Sequence, residues 1–221
     1  MNLGVATSGE IELFDHFSGA SEPAWLVTQD TSSAGTPTLA PASVVGGAFE
    51  LAHDSQDEAQ NITLYGGDVL ALGGASEPVF EARVKIQAGG GALTSAETLV
   101  VGLASARNAT LDNIVTHFWF KMTGANNNIL YEYDDGTTDS DDNDTGVDYV
   151  SDVYAVLRID ASDLSRVTFA IDGVEVADVD VSETITDANL LQPFIEFQKT
   201  SGGTDNGVLV DYLYLRSQVI R

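Results

Sequence analysis

The sequence predicts an all-β protein built from antiparallel strands. Ser165 to Val181 reads SRVTFAIDGVEVADVDV, two alternating apolar runs that meet at Asp172-Gly173, a pair suited to the positive φ angles of a tight hairpin turn. Comparable runs recur about every 8–20 residues between separators rich in Gly, Asn, Asp, Ser and Thr, the rhythm of a sandwich or barrel rather than of βα units. Helical periodicity is confined to short turns, of which Ala161 to Leu164 and Thr186 to Leu191 are the best candidates.

Taken in order, Glu10 to Phe17 is the first strand. Its Phe14 and Phe17 stand three apart and cannot share a face of a regular strand, so a bulge or strand exit is expected near Asp15. Ala24 to Thr28 follows, with Trp25 expected in the core beside it. Thr31 to Ser43 holds Pro37 and Pro41, which cannot donate ladder hydrogen bonds in a central strand, so this segment is expected to be a long loop or extended arm. Gly47 to Ala52 and Asn61 to Tyr65 are the next strands.

Val79 to Gln87 alternates most clearly: Phe80, Ala82, Val84 and Ile86 form the core face, and Glu81, Arg83, Lys85 and Gln87 the wet one. Glu97 to Ala106 follows a glycine-rich connection. In Ile114 to Met122, Phe118, Phe120 and Met122 point inward, which turns His117, Trp119 and Lys121 to the opposite surface. Ile129 to Tyr133, Val153 to Asp160, the hairpin strands Val167 to Ile171 and Val174 to Val179, and Pro193 to Lys199 complete the middle of the chain. In Val208 to Ser217, Leu209, Leu213 and Leu215 share a face with Asp211, while Val208, Val210, Tyr212, Tyr214 and Arg216 share the other. That strand is apolar on both sides, so it is expected to lie centrally, and the first and last strands are expected to pair.

The chain has 221 residues, a length that one β-sandwich with one core can occupy. A single domain spanning 1–221 is expected, with residues 1–9 as an N-terminal tail and 31–43 as the arm. No fixed-period repeat divides it. Nine basic residues against 34 acidic ones give a formal charge of −25, a surface that repels nucleic acid and anionic membrane. Many Asp residues flank Gly, Thr or Asn, where they stabilise turns through nearby backbone groups. The absence of cysteine excludes disulfides, thiol nucleophiles and Cys-ligated zinc. The opening MNLGVATSGEI lacks the pattern of a secretion signal, and no window approaches the ~18 apolar residues of a membrane span, so an unprocessed soluble product is expected.

The runs VFEARVKI at 79–86, AVLRIDASDLSRVTFAIDGVEVADV at 155–179 and VLVDYLYLRSQ at 208–218 resemble the concanavalin A-like lectin/glucanase jelly-roll superfamily. More narrowly, they resemble its laminin-G-like or glucanase-like domains in virion proteins of tailed bacteriophages. The resemblance covers most of the chain from residue 10 onward and rests on strands and turns rather than on a catalytic signature. It implies a two-sheet antiparallel jelly-roll sandwich whose concave face binds sugars in lectin members and carries acids in hydrolase members. In the virion branch it implies a capsid decoration, spike or fibre module. Such a protein is assembled in the host cytoplasm and displayed on the capsid surface, with a major capsid or other virion protein and copies of itself as partners.

For glycoside hydrolysis two carboxyl groups must flank the scissile bond, about 5–5.5 Å apart for retention and wider for inversion. Glucanase members of the superfamily carry both acids on one strand as Glu-x-Asp-x-x-Glu, and no such triplet occurs here; Glu10 with Glu12 and Glu132 with Asp134 each lack the third acid. A non-enzymatic role is therefore expected. The best carbohydrate-binding candidates are Trp119 and His117 on a polar sheet face, joined by Tyr131 and Tyr133; the competing reading is that a loop or neighbouring subunit covers Trp119. The densest acid cluster, residues 134–148, offers oxygen ligands for calcium at Asp139, Asp141, Asp142 and Asp144. Asp144 occupies the position where an EF-hand requires glycine, so a solvated hairpin tip is the favoured reading there. His16, His53 and His117 stand in different elements without metal-ligand spacing, and no phosphate-cradling loop or Gly-x-Ser-x-Gly motif is present.

Overall fold

The computed structural model describes residues 4–5, 10–18, 26–68, 70, 72–74, 76–87 and 92–218. Trp25 and most of the 1–9 tail lie outside the described residues. The early strands are β1 (Gly4–Val5), β2 (Glu10–Asp15), β3 (Val27–Asp30), β4 (Thr38–Pro41), β5 (Phe49–Ala52), β6 (Gln60–Tyr65), β7 (Leu72–Gly73) and β8 (Val79–Gln87). The middle of the chain adds β9 (Glu97–Ala104), β10 (His117–Thr123), β11 (Asn128–Asp134), β12 (Asp139–Asp148) and β13 (Ala155–Asp160). The hairpin strands β14 (Val167–Ile171) and β15 (Val174–Val179) precede β16 (Leu190–Lys199) and β17 (Gly207–Gln218). Helix among the described residues is limited to 3-10 turns at Leu111–Asn113 and Leu164–Arg166.

Two antiparallel sheets stack face to face. One runs β1-β2-β17-β8-β13-β14-β15, with β5 also on β17 and β4 on β5; the other runs β12-β11-β10-β9-β16-β6-β3, with β7 on β16. The last strand lies between β2 and β8, so the expected pairing of first and last long strands and the central place of the last one both hold. Phe80, Ala82, Val84 and Ile86 of β8 meet Leu99, Val101 and Leu103 of β9 and Phe118 and Phe120 of β10 in one continuous core. Across the layers Phe169 packs edge-on against Phe120 at 5.5 Å between ring centres and tilts over Tyr131 at 5.1 Å.

The hairpin at Asp172-Gly173 forms as its residues require, with φ of 49° and 79° at the two positions. The first long strand ends at Asp15, whose carboxylate accepts from the Phe17 N–H at 2.6 Å while Phe17 takes a φ of 50° and turns into the core.

Four expectations change. Thr38–Pro41, inside the expected arm, pairs with β5; Pro41 is tolerated because β4 is an outer strand. Thr186 to Leu191 closes one hydrogen-bonded turn, Asn189 N–H to Thr186 O at 3.0 Å, but no helix, and β16 already begins at Leu190. Residues 139–148 form a ten-residue outer strand on β11 instead of a hairpin tip. In β17 the register slips between Val210 and Tyr212, leaving Asp211 as an extra residue. Val208, Val210, Leu213 and Leu215 consequently all reach the core, while Tyr212, Tyr214 and Arg216 face out, a phase change that strict alternation could not anticipate.

Candidate functional site

The outer face of the eight-stranded sheet carries a buried constellation of polar and aromatic groups. Alternation along β10 turns His117, Trp119 and Lys121 outward, and its register with β11 sets Trp119 opposite Glu132 and His117 opposite Asp134. Tyr131 and Tyr133 pair with Phe120 and Phe118 and therefore lie on the core face. This corrects their grouping with Trp119: residues one position from Glu132 on a strand point the other way.

Trp119 Nε1 donates to Glu132 Oε2 at 2.7 Å, and Lys121 Nζ donates to Glu132 Oε1 at 2.6 Å. The backbone N–H of Asp142 reaches the same Oε1 at 3.1 Å, and the Asp142 carboxylate pairs with Lys121 at 3.0 Å. A β-bulge makes this possible: Ser140 opposes Tyr133 and Asn143 opposes Tyr131, so Asp141 and Asp142 both stand opposite Glu132, with Asp142 at a φ of 51°. Burial is the largest influence on both members of the central pair. It raises the Glu132 carboxyl, whereas in Lys121 it is outweighed by the hydrogen bonds and charges of Glu132 and Asp142, which lift the ammonium. Three donors converge on Glu132, and each needs a carboxylate oxygen to accept, so the contact is an ion pair.

His117 stacks flat on Trp119, ring centres 3.5 Å apart and planes 6° from parallel. Its Nδ1 lies 2.9 Å from the Ile114 carbonyl, which places the proton on Nδ1 and leaves Nε2 as an acceptor. Burial pushes the imidazole down to about 4, so it is neutral at physiological pH.

Most of this face is roofed. Residues 105–116 cross it, closed at their base by Ser105 N–H to Thr116 O at 2.8 Å, and Leu111 and Ile114 pack on Tyr65, Val100, Ala104, Trp119 and Phe194. Polar pins complete the roof: Arg107 Nε donates to Thr63 Oγ1 at 3.0 Å and lies 3.9 Å from Glu196, and Asn61 donates to the Ala109 carbonyl at 3.0 Å. Trp119 is 1% and His117 3% exposed, so the competing reading of a loop-covered tryptophan describes the structure. The polar rim at β10–β12 is open, with the Lys121 and Asp142 side chains 20% and 63% exposed.

Glu132 and Asp142 are drawn together by the Lys121 ammonium they share, and the other acids on this face stand apart or are engaged elsewhere. Glu196 of β16 lies three strands from Glu132, roughly 14 Å at the ~4.8 Å strand spacing, and burial raises its carboxyl. Asp134 shares the β11 face with Glu132, but its carboxylate closes a turn by accepting from the Gly136 N–H at 2.7 Å. Glu10 and Glu12 are in the other sheet, where Glu10 meets Arg216 at 3.5 Å.

The four calcium candidates do not converge. Asp142 is held by Lys121, and Asp144 accepts from Asn128 at 3.1 Å and from the Gly146 N–H at 2.8 Å. Asp139 and Asp141 remain exposed along a strand that spreads its carboxylates instead of wrapping them around a point. Among the described residues no three His, Asp or Glu side chains form a metal-binding group.

Sequence alone named Glu132 and Lys121 without joining them; the signal was the outward alternation shared by Trp119 and Lys121 opposite an acid on the next strand. The roof was missed, since no periodicity marks it.

No family model and no curated protein matches this chain. Solved structures do. A Bacteroides ovatus family 16 glycoside hydrolase in complex with a glucan product superposes with a TM-score of 0.65 at 9% identity, over 92% of this chain and 99% of the other. The carbohydrate recognition domain of Emp47p gives 0.63 at 11% identity, over 97% of both chains. The transglycosylase Crh5 gives 0.61 at 15% identity, over 100% of this chain and 88% of its own. At these identities the likeness shows the fold: the chain is a concanavalin A-like jelly-roll sandwich.

Proposed function

We propose that this chain is a non-catalytic carbohydrate-binding module that seats its ligand on the open β10–β12 rim. The observation that carries this reading is the state of Glu132: an acid held by Trp119, by the Asp142 N–H and by the Lys121 ammonium is an ion-paired carboxylate with no proton to give a glycosidic bond, and three of its four lone-pair sites are taken. Lys121, Asp134, Asp141 and Asp142 supply donors and acceptors for sugar hydroxyls, while Trp119 and His117 form the support beneath them. The solved structures of similar fold include a carbohydrate recognition domain and a glucan-bound hydrolase, which supports a sugar as the ligand class. A glycan array with the native chain and with Asp141→Asn and Asp142→Ala tests this. Native binding weakened at least tenfold by the rim variants supports it, and an array without hits overturns it.

A second reading is a virion structural module, a capsid decoration or spike held to a capsid protein. The roofed face favours it, because a groove filled by the chain's own Leu111 and Ile114 leaves little space for an extended polysaccharide. Detection of the chain in purified phage particles tests that reading, and its absence from every particle removes it.

A further inference from the structure

We infer that the outer face of the nine-stranded sheet is an interface on which a second copy of this chain docks. This face lies on the opposite layer from the sugar rim, so it makes a separate claim. The phase slip in β17 turns Tyr212 and Tyr214 outward, where Phe14 of β2 joins them at 5.6 and 6.3 Å and His16 meets Phe14 at 4.4 Å. Tyr154 extends the patch, with the Arg83 guanidinium 4.1 Å and the Lys85 ammonium 5.0 Å from its ring centre. All these rings are at least partly exposed. Aromatic and arginine side chains are the types enriched in protein interfaces.

Two observations choose the occupant. The rings meet at 88°, 39°, 62° and 78°, so they offer no common plane on which a sugar chain could stack, whereas tilted rings suit the relief of another protein surface. The charge is also redistributed. Arg83, Lys85, Arg158 and Arg216, four of the nine basic residues, share this face with carboxylate partners: Arg83 with Asp211, Arg158 with Glu81 and Asp160, and Arg216 with Glu10. A chain of charge −25 repels its copies through its acid-rich surfaces. This mixed face holds its cations beside carboxylates, so a copy approaching through it meets less of that repulsion than one approaching the acid-rich remainder. The four strands β2, β17, β8 and β13 cover roughly 600 Å² in projection, and side-chain relief carries that toward the ~800 Å² per partner of a standard interface.

Light scattering coupled to size exclusion, over a wide concentration range, tests the proposal on the full chain. The native chain is expected at dimer mass, and Tyr214→Glu is expected to weaken the dimer at least tenfold. Lys85→Glu is a second variant on the solvent side of β8, and Asp142→Arg on the other sheet serves as control and should leave the dimer intact. Circular dichroism melts of each variant separate a lost interface from a lost fold. A native chain that is monomeric at every concentration overturns the proposal. So does a dimer that persists unchanged in both face variants, or that dissociates only in the Asp142→Arg control.

Discussion

Trp119 and Glu132 face each other across adjacent strands and share a 2.7 Å hydrogen bond beneath the molecular surface, each 3% exposed or less. This bond joins the two parts of the site, because Glu132 also binds Lys121 and the bulged backbone at Asp142, while Trp119 supports His117.

Glu132→Leu alone leaves Lys121 with only the exposed Asp142 and strands the indole N–H. It is expected to cost about 3 kcal/mol, the scale for breaking a buried ion pair. The double variant Glu132→Leu with Lys121→Met removes both charges and should recover the part of that loss due to the unpaired ammonium, leaving the cost of the stranded indole N–H. Urea denaturation of the three proteins checks it.

The roof has its own signature. Ile114 is 2% exposed and packs on Trp119, so Ile114→Ala is expected to cost about 2–4 kcal/mol. In a Trp25→Phe background, Trp119 emission should be blue and resistant to acrylamide; after Ile114→Ala it should shift red and quench readily.

His117 makes part of the stability depend on pH. Its folded-state value near 4 lies below the ordinary 6.5, so below about pH 6.5 the unfolded chain takes up a proton that the folded chain refuses. Stability is therefore full above pH 6.5 and is lost as pH falls toward 4, by up to about 3 kcal/mol from this residue. The groups around it act in both directions: the charges of Asp141 and Asp112 favour protonation and Lys121 opposes it. His117→Phe, which keeps the stack on Trp119, should flatten that part of the pH profile, and NMR titration of the native imidazole should give a midpoint near 4.

Lys199 pins the opposite end of the same sheet. It is fully buried and donates to the carbonyls of Asp54, Gln56 and Thr204 at 2.6, 2.8 and 3.3 Å. Lys199→Met takes the ammonium from three carbonyls, of which Gln56 keeps the Glu58 N–H at 3.0 Å, and is expected to cost about 3 kcal/mol, with faster amide exchange over residues 53–58.

Much of the fold was legible because local and global signals agreed. Val79 to Gln87 alternates without a break and forms a strand with those bounds, and the Asp172-Gly173 pair is a turn whatever surrounds it. The segment 139–148 was not legible: its Asp, Asn, Ser and Thr residues favour turns, and strand structure is imposed by pairing with β11 at a solvated sheet edge. The inward direction of Tyr131 and Tyr133 follows from register alone, and the roof over Trp119 depends on contacts between residues far apart in sequence. Strands are written in short-range pattern; the site is written in strand neighbours and one bulge.

The most direct measurement of the central claim pairs calorimetric titration with a reducing-end assay, using mixed-linkage β-glucan oligosaccharides and the best ligand from the glycan array. Saturable binding at the β10–β12 rim, lost in Asp142→Ala, with no new reducing ends over prolonged incubation, is the predicted result. Accumulating product that disappears in Glu132→Gln would contradict it, since Glu132 would then be a working acid and not the buried partner of Lys121.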